Sequence, residues 1–267
     1  MTKSEKISII APAIKVNLWN DFYESLKDCT HPLHVVFVGH VKPDFKLPLN
    51  FSYVYCPIKS GSFCAQLGFE YVCKYHSDSK FIFNTADDSF ISGKQLEDLV
   101  HFYNDMENEY NTELLMAGPL YYVNNQPAMM SYTNGGPCLL GPYLCTLKTR
   151  KKIGGIDRKF RHIHWDNDLH LRLHEMGGIV IHSPEESGLI VNEVDTAHTL
   201  SKGNYSHDYN KLLKSLWKLK DDKNSTIVCS RRDRRKKPQN VAFIGHYKVT
   251  RLSKVEEYGR DEFLPYL

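Results

Sequence analysis

Phe81-Ile82-Phe83-Asn84-Thr85-Ala86-Asp87-Asp88-Ser89-Phe90 is the stretch on which the reading of this chain turns. A short run of aromatic and branched residues, Phe81 to Phe83, has the length and composition of a buried strand. It ends in two adjacent carboxylates, Asp87 and Asp88. In open α/β sheets the loops at the C-terminal ends of the strands are where ligands bind. Two like charges side by side repel, so the pair is either a solvated turn or a place for a positive partner. A hard divalent cation, Mn²⁺ or Mg²⁺, held by one or two carboxylates together with substrate phosphates meets that need.

Working outward, the flanking segments fit one pattern. Ile7-Ser8-Ile9-Ile10-Ala11-Pro12 predicts a buried strand stopped by proline, Val35-Val36-Phe37-Val38-Gly39 a second and Phe51 to Cys56 a third. Between and after them, Trp19, Phe22, Tyr23 and Leu26 predict an amphipathic helix over Asn17 to Asp28. Phe63, Leu67 and Tyr71 give another stripe, and Leu96, Leu99, Val100 and Tyr103 a third. Short apolar runs alternating with helical segments predict an α/β fold with a mostly parallel central sheet flanked by helices. Pro12 to Lys15, Gly39-His40 and Asp87-Asp88 then share one cleft. No Gly-x-Gly-x-x-Gly follows the first strand, which weighs against a dinucleotide site. Leu114 to Leu147, rich in Gly, Pro, Asn and Tyr, is expected to form irregular loops and short strands over that cleft, either as an acceptor surface or as a plain connection.

Composition narrows the classes. The 267 residues suit one large domain, or one with a C-terminal extension. The 42% hydrophobic content is that of a globular chain. No apolar run approaches the ~20 residues of a spanning helix, and the first residues hold no signal-peptide core, so a cytoplasmic protein, soluble or peripheral at the membrane face, is expected. Seven cysteines without a Cys-x-x-Cys pair predict buried thiols rather than zinc or a disulfide framework.

Further on stand Ile153-Gly154-Gly155-Ile156-Asp157-Arg158-Lys159-Phe160 and His164-Trp165-Asp166-Asn167-Asp168-Leu169. Leu169, Leu173 and Met176 predict a helix closed by Gly177-Gly178, with Asp166 and Asp168 at its N-terminus. Capping, with an Asp168–Arg172 pair at i, i+4, accounts for Asp168. It does not require Asp166, which is the better catalytic candidate.

In this order, Ile-Ile-x-Pro, Ala-Asp-Asp, Gly-Gly-Ile-Asp-Arg-x-Phe and Trp-Asp-Asn-Asp-Leu-x-x-Arg-Leu resemble the family 2 glycosyltransferases and their GT-A-fold relatives, over roughly residues 6 to 200. The resemblance implies a GT-A domain over 1–200 and a helical, basic extension over 201–267. It implies a nucleotide-sugar donor bound by Pro12, Ala13, Asp87 and Asp88, with Asp88 as metal ligand. Asp166 takes the position of the catalytic base, and Trp165 stands where the family has Glu. Gly154, Gly155, Trp165 and Asp168 fall at the acceptor. His198 is the candidate for a further metal ligand and His182 the runner-up. Gly39-His40 replaces the acidic residue that reads the base in many members, and Pro12-Ala13-Ile14-Lys15 replaces Pro-x-Tyr-Asn. The nucleotide is therefore open, with a UDP-sugar favoured, and both inverting and retaining chemistry fit the spacing.

Between Arg231 and Lys237, six of seven residues are basic. Such a run is a solvated loop or a contact for an anion, through Arg231, Arg232, Arg234 and Arg235. The expected activity is transfer of a hexose to a hydroxyl of a glycan or glycoconjugate. The alternatives are a phage-type DNA glycosyltransferase acting on hydroxymethylcytosine and a non-catalytic nucleic-acid- or glycan-binding protein on the same fold.

Overall fold

The computed structural model describes residues 5–123, 126–127, 132–133, 136–137, 142–183, 190–193, 205–219, 243–245 and 249–267. In chain order the strands and helices are β1 (Ile7–Pro12), α1 (Trp19–Leu26), β2 (Leu33–Gly39), β3 (Phe51–Tyr55), α2 (Gly61–Tyr75), β4 (Phe81–Asn84), β5 (Ser89–Phe90) and α3 (Gly93–Glu109). Then come β6 (Leu115–Gly118), β7 (Leu120–Val123), β8 (Gln126–Pro127), β9 (Tyr132–Thr133), β10 (Gly136–Pro137), β11 (Tyr143–Thr146), α4 (Leu147–Ile153) and α5 (Trp165–Glu175). The last are β12 (Ile179–His182), β13 (Ile190–Glu193), α6 (Tyr205–Leu216), β14 (Trp217–Leu219), β15 (Phe243–Gly245) and β16 (Val249–Arg251).

Eight strands form the central sheet in the order β15-β12-β6-β11-β4-β1-β2-β3. β1 pairs parallel with β2 and β4, β2 with β3, and β6 with β12. β11 and β15 run against their neighbours. Burial on both faces explains the near-continuous apolar runs of the parallel strands. Ile7, Ile9 and Ala11 of β1 pack with Val35 and Phe37 of β2 in the same core as α1 and α3. Ile10, Val36 and Val38 face the other way, with Phe63, Leu67 and Val72 of α2. A smaller sheet, β5-β13-β7-β8, begins directly after the Asp pair.

Local chemistry sets the helix boundaries. Ser60 caps α2 by accepting from the Phe63 amide, and Ser92 with Gln95 forms a capping box on α3. Gly177, at φ +81°, closes α5 where the sequence predicts a stop. The predicted helix over Asn17 to Asp28 is shorter, because a 3₁₀ turn over Val16–Leu18 precedes α1. The segment expected to be loops over the cleft contributes β6 and β11 to the middle of the central sheet. The stretch expected as an extension after residue 200 supplies β15 to that sheet's edge. It also supplies Leu213, Leu216 and Trp217, which pack against Phe160 and Leu171.

Candidate functional site

A cavity of about 540 Å³ opens at the C-terminal ends of β1, β2 and β4. Pro12, Ala13, Lys15, Gly39, Asp87 and Asp88 are among the residues that line it. The loop after β1 crosses tightly here: a Cβ on Gly39 would lie 1.7 Å from the Ala13 carbonyl oxygen, so only glycine fits.

The two carboxylates behave differently. Asp87 is buried, and its Oδ2 accepts from the Ile14 amide at 2.8 Å, the Lys15 amide at 2.5 Å and the Trp19 indole at 3.0 Å. Burial pushes its pKa up to about 6, against the opposing pull of the indole and the two amides. Asp87 thus fixes the loop after β1. Asp88 Oδ2 instead meets the Lys15 ammonium at 2.6 Å, with side-chain exposures of 10% for Asp88 and 6% for Lys15. Among the described residues its Oδ1 receives a long contact, 3.4 Å, from the Ser89 hydroxyl.

The donor set tests whether a divalent cation fits. Among the described residues no three His, Cys, Asp or Glu side chains gather into a cage. Asp87 is committed to its three donors. Asp88 is left as a single carboxylate facing a cavity, and the ammonium at its Oδ2 is itself a cation in the expected place. One carboxylate completed by substrate phosphates and water is an ordinary site for Mg²⁺ or Mn²⁺, so the residues fit such an ion once a phosphate ligand is present.

The second acidic segment starts at His164, whose left-handed backbone (φ +64°) turns the chain into α5. Asp166 lies in the first turn and is half-buried. It is among the neighbours that raise the Tyr143 phenol, chiefly perturbed by burial. Ile163, three residues before Asp166, lines the cavity with Asp87 and Asp88, so the first turn of α5 begins beside that cavity. Trp165 borders the N-terminus of α2, its indole nitrogen 4.0 Å from where a Gly61 side chain would begin. Arg161 and His162 lie beside it: the Arg161 carbonyl accepts from the Ser60 hydroxyl at 2.7 Å, and His162 lines the cavity.

Asp168 is turned into the core rather than toward an acceptor. It is fully buried, with Arg172 Nε at 3.1 Å, Arg251 Nη1 at 2.5 Å and the Trp217 indole at 2.9 Å. Burial raises its pKa, against the pull of the two guanidiniums and the indole. Arg251 also binds Asp157, which is equally buried. Gly154 and Gly155 form a turn under Glu257: Gly154 has φ +91°, and the Gly155 amide donates to Glu257 Oε1 at 2.9 Å. A Cβ on either glycine would come within 2.8 Å of a Glu257 carboxylate oxygen. His182 is buried in β12, where desolvation holds its pKa down to about 3. His198 and Arg231, Arg232, Arg234 and Arg235 lie outside the described residues. Sequence reasoning missed Lys15 and Arg251 as partners of the acidic groups, and His162 and the Ile58–Gly61 turn as cavity walls. No helix among the described residues is long and apolar enough to cross a membrane.

No family model matches the sequence, and no curated protein matches it. Solved structures do. The mannosyltransferase PcManGT from Pyrobaculum calidifontis, in complex with GDP-Man and Mn²⁺, aligns with TM-score 0.50 and 13% identity over 74% of this chain and 59% of its own. The Drosophila β1,4-galactosyltransferase 7 mutant, in complex with manganese, UDP-Gal and xylobiose, aligns with TM-score 0.50 and 12% identity over 78% of this chain and 79% of its own. S. aureus TarS 1-349 aligns with TM-score 0.46 and 12% identity over 63% of this chain and 55% of its own. The chain therefore spans less than two thirds of two of these three. With its mostly parallel sheet flanked by helices, this chain has the GT-A fold of glycosyltransferases.

Proposed function

We propose that this protein is a glycosyltransferase that moves a sugar from a nucleoside-diphosphate sugar, a UDP-sugar by preference, to a hydroxyl of a glycan or glycoconjugate. One observation carries the reading: at the C-terminal end of β4 one carboxylate locks the loop after β1 while its neighbour, Asp88, faces the cavity. A pure phosphate binder gains nothing from clustered carboxylates, whereas a donor site that recruits a cation needs them. The similar mannosyltransferase and galactosyltransferase structures hold GDP-Man or UDP-Gal together with manganese.

In this reading Pro12, Ala13 and Gly39 shape the donor pocket, and Asp88 would hold Mn²⁺ or Mg²⁺. When bound there, such an ion would supply Lewis-acid stabilisation to the diphosphate that leaves as the sugar's anomeric bond to it breaks. Asp166 takes the proton from the acceptor hydroxyl as it attacks the anomeric carbon, and a single displacement inverts that carbon. Trp165 flanks the acceptor, while Asp87, Asp157 and Asp168 hold loops and helices in position. The test is a panel of nucleotide-sugars with Mn²⁺ or Mg²⁺, read by thermal stabilisation and by release of nucleoside diphosphate. At least one donor, expected to carry UDP, should raise the melting temperature and be consumed. A panel without a single stabilising or consumed donor would overturn the proposal.

A further inference from the structure

The Lys15–Asp88 pair sits where the donor's diphosphate and its cation would lie, and its chemistry is more than a structural tie. Both side chains are almost out of solvent, yet both line the cavity. The root of Lys15 cannot move: its amide and that of Ile14 are held by Asp87, and its carbonyl accepts from the Leu18 amide at 2.8 Å. With that backbone held, any change of partner falls to the four-carbon stem and the ammonium, which in this structure meets Asp88. A buried ion pair contributes little net stability, because desolvation offsets the attraction.

Charge balance gives the pair a use. In the donor-free cavity the ammonium neutralises the Asp88 carboxylate. A divalent ion approaching Asp88 then meets a like charge 2.6 Å from that carboxylate. No cage of other ligands compensates among the described residues. A donor diphosphate brings one negative charge per phosphate group. That attracts the ammonium away from Asp88, frees Oδ2 and supplies the oxygen ligands a hard cation lacks. The same two negative charges are balanced by the two positive charges of the ion.

Building on the proposed donor site, we infer that Lys15 is a ligand of the donor diphosphate and the guard of Asp88, so that Mn²⁺ or Mg²⁺ enters only together with the nucleotide. Metal and nucleotide binding are then strongly and reciprocally coupled, by the logic of linkage. The coupling is a property of one residue rather than of the whole cleft.

The experiment is Mn²⁺ binding followed by electron paramagnetic resonance, with and without UDP, for the intact protein and for Lys15→Met and Lys15→Arg. For the intact protein, UDP should tighten Mn²⁺ binding by roughly 10–100-fold, within the usual span of coupling between sites. Lys15→Met should bind Mn²⁺ without UDP about tenfold more tightly than the intact protein, bind UDP more weakly, and lose most of the coupling. Lys15→Arg keeps the charge and should restore it. Thermal melts establish that each variant is folded, and Lys15→Gln replaces Lys15→Met if that variant is not. If the intact protein and Lys15→Met bind Mn²⁺ alike in the absence of UDP while both still bind UDP, the guard is overturned and the donor site stands. If neither binds UDP or any other nucleoside diphosphate, with or without Mn²⁺, the donor site itself falls and the guard with it.

Discussion

The loop after β4 and the first turn of α5 each carry two carboxylates within three residues, and in each place one is enclosed among several donors while its neighbour lies nearer the cavity. Asp87 is held by two amides and an indole, and Asp168 by two guanidiniums and an indole. Asp88 meets the Lys15 ammonium and has a cavity in front of it, and Asp166 is half-buried in the first turn of α5. The locked carboxylate spends its charge on the protein and fixes a backbone. Its neighbour inherits a defined position beside the cavity, and in the proposed function it is the one that meets metal or acceptor.

This division can be broken one carboxylate at a time. Asp166→Asn carries the largest expected effect, a fall in turnover of about 10²–10⁴-fold with donor binding nearly unchanged. Steady-state transfer rates alongside UDP titration check it, and near-normal turnover would make Asp166 a helix-terminal charge and nothing more. Arg251→Met removes the cation shared by Asp157 and Asp168 and should cost about 3–5 kcal/mol at neutral pH, as for other broken buried pairs. Its sign with pH is a sharper test. Asp168 already has a folded pKa above its ordinary value, and losing Arg251 raises it further. The folded variant then binds more protons than the unfolded chain, so its stability grows as pH falls toward the ordinary carboxylate range. Urea unfolding at pH 7.5 and pH ~4.5 should show the cost of Arg251→Met shrinking on acidification, and a cost that grows would count against the buried pair.

Asp87→Ala leaves two amides and an indole without their acceptor and should cost about 2–3 kcal/mol. Urea midpoints measure it, and UDP affinity should fall with it because the loop after β1 lines the cavity. The smallest effect on stability belongs to Asp88→Asn, about 1–2 kcal/mol: it strands the Lys15 ammonium, but that side chain lines the cavity, so the cost stays below that of a fully enclosed pair. The same variant should lose UDP-linked Mn²⁺ binding. A loss of stability equal to that of Asp87→Ala would erase the distinction between the two members of the pair.

The sequence was most legible where pattern is local. β1 to β4 announce themselves as apolar runs because both faces are buried, and the Asp168–Arg172 contact follows from helical spacing. β6 and β11 did not: each is four residues long, and β11 enters antiparallel between β4 and β6, a pairing that no periodicity encodes. At the site, the Asp pair was visible and its partners were not. A single lysine after a strand has no pattern to mark it, and Arg251 reaches across 83 residues to Asp168 and 94 to Asp157. The Gly154-Gly155 turn was visible as a turn, but its cover, Glu257, lies 102 residues from Gly155.

That reach bears on how the chain is made. α5 leaves the ribosome 83 residues before the arginine that neutralises its buried carboxylate. At about 5–20 residues per second, the helix waits roughly 4–17 s with Asp168 and Asp157 unanswered by Arg251. During that interval the β1–β4 half can already be assembled, while Asp157 and Asp168 lack the cation that joins them. Nascent chains arrested before residue 251 should therefore resist protease in their first half and be cut around α5.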